Sequence, residues 1–185
     1  MDATIIILLG CALAAATITD LRAQRIPNTI TFGLAAASLA WHGWTGHLDG
    51  FLFSLGGLGV GFGCIILPYA LGVMGAGDVK LMAAVGAALG PAGALWSFLL
   101  TSVAGGLYAL AVLAARREEA RRVYDGCRRF VAMTAMTAMT RTVCDIAPPR
   151  IVSGLPRLCY GVAIAVGTLA YLVWQTLAGV AGLAA

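Results

Sequence analysis

Charged residues are scarce in this chain. They make up 11% of its 185 residues, against about a quarter in an ordinary soluble domain, and the mean hydropathy is +0.92. That deficit excludes a soluble globular domain, and nothing points to nucleic acid as a partner. Metal-binding patterns are also missing. The five cysteines, Cys11, Cys64, Cys127, Cys144 and Cys159, form no CxxC pair, and there are only two histidines, His42 and His47. A structural zinc site is therefore not expected, no cofactor is implied, and cysteines in or beside apolar runs read as small hydrophobes. Strand-like alternation is absent too, which argues against an outer-membrane barrel.

What the sequence does have is long apolar runs, at about 3–19, 29–45, 51–74, 79–92, 93–114 and 158–182. Spans of roughly 20 residues cross a bilayer as helices, because lipid forces the backbone to satisfy its own hydrogen bonds. The expectation is an all-α polytopic membrane protein, a six-helix transmembrane bundle forming a single domain over 1–185. The fourth run is short, about 21 Å of helix at 1.5 Å per residue. Gly90-Pro91 is a strong turn signal that separates it from the fifth. At the N-terminus, Leu8-Leu9-Gly10-Cys11 imitates a lipoprotein cleavage box and Ala14-Ala15-Ala16 a signal-peptidase site. Asp2 precedes the run without any Lys or Arg, unlike a signal peptide, so residues 3–19 are expected to be a retained span.

Charge orients the spans. With six of them, all twelve basic residues fall in loops or span ends on one side. Positive residues stay cytoplasmic, so that side is expected to be the cytoplasm and both termini to lie outside. The segment 115–157 is then a basic cytoplasmic loop. Its stretch Arg116-Arg117-Glu118-Glu119-Ala120-Arg121-Arg122 is attracted to anionic membrane lipid and reads either as a topology signal or as a docking segment for substrate. Met133 to Thr140 repeats with period three, which matches no stable helix face and reads as a spacer.

Two aspartates stand out against this background. Asp20 closes the first run, and Asp78 opens the fourth within Gly75-Ala76-Gly77-Asp78-Val79-Lys80. A carboxylate at the edge of a bilayer is costly and marks a functional site by default. Both fall on the expected cytoplasmic side. Two neighbouring carboxylates suit hydrolysis, because they do not both ionise easily: one takes a proton from water while the other donates one. A Ser-His-Asp set is disfavoured, since both histidines fall on the other side, beside Trp41 and Trp44. Gly75 and Gly77 would permit unusual backbone angles and the close approach of a second chain. Lys80 either steadies an ionised carboxylate or marks the inner side. Arg22 to Asn28 reads as a tight polar turn, with Pro27 at the start of the second helix.

Three stretches, Asp20 to Ile26-Pro27-Asn28, Gly75-Ala76-Gly77-Asp78-Val79-Lys80 and Cys159-Tyr160-Gly161-Val162-Ala163-Ile164-Ala165, together resemble the GxGD aspartic prepilin peptidases. In the third stretch cysteine stands where the family has proline. The resemblance implies that Asp20 and Asp78 are a catalytic pair, that Gly75, Gly77, Lys80, Pro27 and Asn28 shape the site, and that Tyr160 and Gly161 contact substrate. It implies an aspartic endopeptidase of the bacterial inner membrane that cuts the basic leader of type IV prepilins. The N-terminal cytoplasmic insertion with paired CxxC motifs that accompanies N-methyltransferase activity is missing, so the sequence resembles the short branch associated with Flp, or tight-adherence, pili. Presenilin-like proteases share the GxGD feature but have more helices and a different partner motif. A proton-coupled transporter would spread acids through the membrane depth, whereas these spans hold almost none. A dead assembly scaffold would not need both aspartates. The sequence carries no signal for an oligomeric state.

Overall fold

The computed structural model describes residues 2–70, 74–115, 128 and 160–183. Every regular element among them is helical: α1 (Ala3–Ala23), α2 (Asn28–Ala70), α3 (Ala76–Ala115) and α4 (Tyr160–Leu183). All four are long and apolar enough to cross a membrane. The chain divides into two compact units, Met1–Gly106 with Leu158–Ala185, and Leu107–Arg157. Both aspartates belong to the first unit. The expected basic loop 115–157, its Met-Thr repeat, and Cys127, Cys144 and Cys159 lie outside the described residues, apart from Ala115 and Arg128 at the level of the backbone.

The apolar runs predict six separate helices, and four continuous ones are found. The reason lies in the breaks at Gly46–Gly50 and Gly90-Pro91. Each is absorbed by one non-helical residue, His47 (φ 53°, ψ −134°) in α2 and Gly90 (φ 75°, ψ 179°) in α3, so no loop intervenes before helical hydrogen bonding resumes. The turn at each point is nevertheless sharp. Residues eight apart in a straight helix are separated by about 12 Å along its axis. Here a Cβ placed on Gly43 would lie 3.7 Å from Phe51 Cδ2, and one on Gly86 would lie 3.3 Å from Ala94 Cβ. Each long helix thus folds back on itself as two arms. Gly90 is the position where glycine is required: its φ is left-handed, and the Phe53 ring occupies the space of a side chain.

The second arm of α2 and the first arm of α3 pack at backbone distance. A Cβ on Gly57 would strike the Gly86 carbonyl and one on Gly61 the Met82 carbonyl. Gly57 and Gly61 form a small-xxx-small pair, the device that lets helices approach closely where lipid supplies no hydrophobic drive. On the same face the Ser54 hydroxyl donates to the Ala87 carbonyl at 2.7 Å. The first arm of α3 is therefore central. Leu81, Met82, Ala84, Val85, Ala87 and Ala88 are fully buried, while Phe32, Trp44, Leu52 and Phe62 of α2 face outward.

Helix α1 packs against α2 and α4. It buries one stripe, Ile5, Leu9, Leu13, Ala16 and Asp20. Spacings of three and four keep these residues on one helical face, so the geometry that seats the leucines also turns Asp20 inward.

Candidate functional site

Asp20 sits within the last turn of α1, one turn further inside the helix than the apolar run suggests. The helix ends at Gln24, whose backbone is left-handed (φ 49°) and whose N–H donates to the Asp20 carbonyl. The chain then runs to Pro27, immediately ahead of α2, whose carbonyl accepts from the Ile30 N–H at 3.1 Å. This places Pro27 at the start of the second helix, as its fixed φ and missing N–H suggest.

The Asp20 side chain is 7% exposed, and its Oδ2 accepts a hydrogen bond from the Gly161 N–H at 3.0 Å. Gly161 lies in the first turn of α4, where helix N–H groups lack intrahelical partners and the helix dipole favours negative charge. A Cβ on Gly161 would lie 2.7 Å from that oxygen and 3.2 Å from the Asp20 Cβ.

Asp78 is 9% exposed and lies in the first turn of α3. Its Oδ2 accepts from the Gly75 N–H at 3.0 Å. Gly75 precedes the helix, so the bond is the backward half of a capping box, an acid at the third helical position reaching the N-cap amide. Both carboxylates thus rest on amides at helix starts.

The sequence stretches meet at this end of the unit. A Cβ on Gly77 would lie 3.3 Å from Ile26 Cβ, so the residues after α1 press on the first turn of α3. Lys80 Nζ donates to Asn28 Oδ1 at 2.9 Å and lies over the Phe32 ring, 5.4 Å from its centroid. Of the two roles expected for Lys80, contact with a carboxylate is not what its hydrogen bond provides; the ammonium ties α3 to α2. Neither Gly75 nor Gly77 adopts a positive φ; Gly77 allows the approach of Ile26, while a side chain on Gly75 would meet only Asp78 and Gly77 of its own helix start. The charges of Asp20 and Asp78 act on one another, and that of Asp78 acts on the half-buried Tyr160 phenol. Gly161, expected to contact substrate, turns its amide to Asp20. Sequence reasoning missed that contact; its one trace is a glycine in the first turn of an otherwise apolar helix.

The histidines are elsewhere. His42 Nε2 donates to the Ala88 carbonyl at 3.1 Å, about 15 Å along the first arm of α3 from Asp78, and His47 forms the bend of α2. Among the described residues no group of three His, Cys, Asp or Glu side chains is arranged to hold a metal ion. Chemically, the site offers two buried carboxylates at one end of the unit, the charge of Asp20 acting on Asp78. Two carboxylates whose protonation differs are able to divide the roles of base and acid.

A family model described as the type IV leader peptidase family matches residues 7–110. The match takes in the Asp20 and Asp78 stretches and stops short of Tyr160 and Gly161. No curated protein and no solved structure matches the chain.

Proposed function

Because the chain belongs to the type IV leader peptidase family, we propose that this peptidase is a membrane aspartyl endopeptidase. Its substrate is a type IV prepilin of the Flp class, cut after the basic leader at the cytoplasmic face of the inner membrane. The observation that carries this reading is that Asp20 and Asp78 are the buried charged side chains among the described residues.

The reaction follows from acid–base division between the two. The ionised carboxylate takes a proton from water as the oxygen attacks the scissile carbonyl carbon. The protonated partner donates toward the carbonyl oxygen, which gains negative charge. Collapse of the tetrahedral intermediate breaks the C–N bond, and a proton from the pair passes to the leaving amine. Gly75, Gly77, Lys80, Pro27 and Asn28 shape the site, and Tyr160 and Gly161 line it beside the substrate.

In this reading each arm of α2 and α3 crosses the membrane separately. With α1 and α4 that makes six crossings, which gathers all twelve basic residues on the side of the aspartates and sets both termini outside the cytoplasm. Methyl transfer to the new N-terminus is not proposed.

The test is co-expression with a Flp-type precursor, followed by mass measurement of the precursor's N-terminus. The expected product is the precursor without its leader and without an added methyl group. A precursor that keeps its leader in the presence of folded enzyme overturns the assignment.

A further inference from the structure

Gly161 is the residue whose placement the proton transfers leave unused. We infer that it is a positioning residue for Asp20: its main-chain N–H fixes the carboxylate, and only glycine at 161 leaves room for that contact. The inference rests on the reading of Asp20 as one of the two reacting carboxylates.

Three observations carry it. The hydrogen bond from Gly161 N–H to Asp20 Oδ2 is 3.0 Å long and joins two buried residues. A methyl group at 161 would come within 2.7 Å of Oδ2 and within 3.2 Å of both Cγ and Cβ of Asp20. Rotating the carboxylate relieves the contact at Oδ2 but not the tight one at Cβ, so an alanine there shifts α1 against α4 by a few tenths of an ångström or swings the acid off the amide. Third, Gly161 has no positive φ, so backbone freedom does not explain a glycine in the first turn of a helix, where it weakens the helix relative to alanine. Contact does.

The sequence allows a direct observation of this amide. Tyr160-Gly161 is the only Tyr-Gly step in the chain, so ¹³C-carbonyl tyrosine with ¹⁵N-glycine labels a single peptide group in the full-length protein. In wild type the Gly161 amide resonance is expected to titrate at the same pH as one limb of the kcat profile. It is expected to move in Asp20→Asn more than in Asp78→Asn. Gly161→Ala is expected to lower kcat at least tenfold with KM within twofold. Gly106→Ala, where a Cβ meets nothing within 4 Å, is expected to retain wild-type kinetics.

A smaller loss of kcat in folded Gly161→Ala overturns the inference, as does an amide that ignores Asp20→Asn. Should Gly161→Ala fail to fold, the amide measurement decides alone, since it leaves residue 161 unchanged. Wild-type protein that cleaves no precursor counts against the proposed function, while the amide shift still reports the contact.

Discussion

Asp78 and Asp20 are held by the same kind of bond in opposite ways. Asp78 binds the amide of Gly75, three residues before it in the same helix start. Asp20 binds the amide of Gly161, on a helix 141 residues further along the chain. The first contact forms as soon as one turn of α3 forms. The second exists only when α1 and α4 are docked. One acid is therefore set by local capping and the other by tertiary packing, and the pair is complete only in the assembled unit.

Removing either acid while keeping its bond separates anchoring from chemistry with the largest effect. Asparagine still accepts from Gly75 or Gly161 but has no exchangeable carboxyl proton. Asp20→Asn and Asp78→Asn are each expected to lower the cleavage rate by at least about 10³-fold, measured on purified protein whose gel-filtration profile is unchanged. Gly161→Ala is expected to follow, acting on the tertiary contact alone.

Packing comes next. Gly57→Leu or Gly61→Leu places side-chain atoms against the Gly86 or Met82 carbonyl and is expected to cost about 3 kcal/mol or more, read as a lower Tm in detergent. It unseats the arm that carries Asp78 without touching its capping bond. Ser54→Ala removes one buried hydrogen bond on that same face and is expected to cost about 1 kcal/mol. The smallest effect is expected at the exposed Lys80–Asn28 link. Lys80→Met is expected to leave the cleavage rate within about threefold of wild type, which separates a tie between helices from a role at the carboxylates.

Much of the site is legible because its residues violate the rules of their surroundings. Two acids in an apolar chain, flanked by Ile26-Pro27-Asn28 and Gly75-Ala76-Gly77, are visible without a structure, and the distribution of basic residues sets them at one end. The rest is hidden for physical reasons. A bend made by a single residue, His47 or Gly90, has the same sequence signature as a loop, so continuous helices read as separate ones. Inside and outside are equally obscure, because in lipid the outward residues are as apolar as the core. Helices α2 and α3 are both strongly apolar, yet α3 is mostly buried and α2 mostly exposed. Small side chains mark the contact on both partners, Gly57 and Gly61 on α2 and Ala83, Ala84, Gly86, Ala87 and Ala88 on the central arm. Gly161 stays hidden because its partner is remote in sequence, whereas Gly75 lies within one turn of Asp78.

Whether these two carboxylates perform the hydrolysis together is decided by a single-turnover reaction in reconstituted membranes. A basic-leader precursor is presented in turn to wild type, Asp20→Asn and Asp78→Asn, and its mass is recorded over time. Wild type is expected to release the leader, and both variants to leave the precursor whole although folded. Cleavage at the wild-type rate by either asparagine variant would refute the joint role of Asp20 and Asp78.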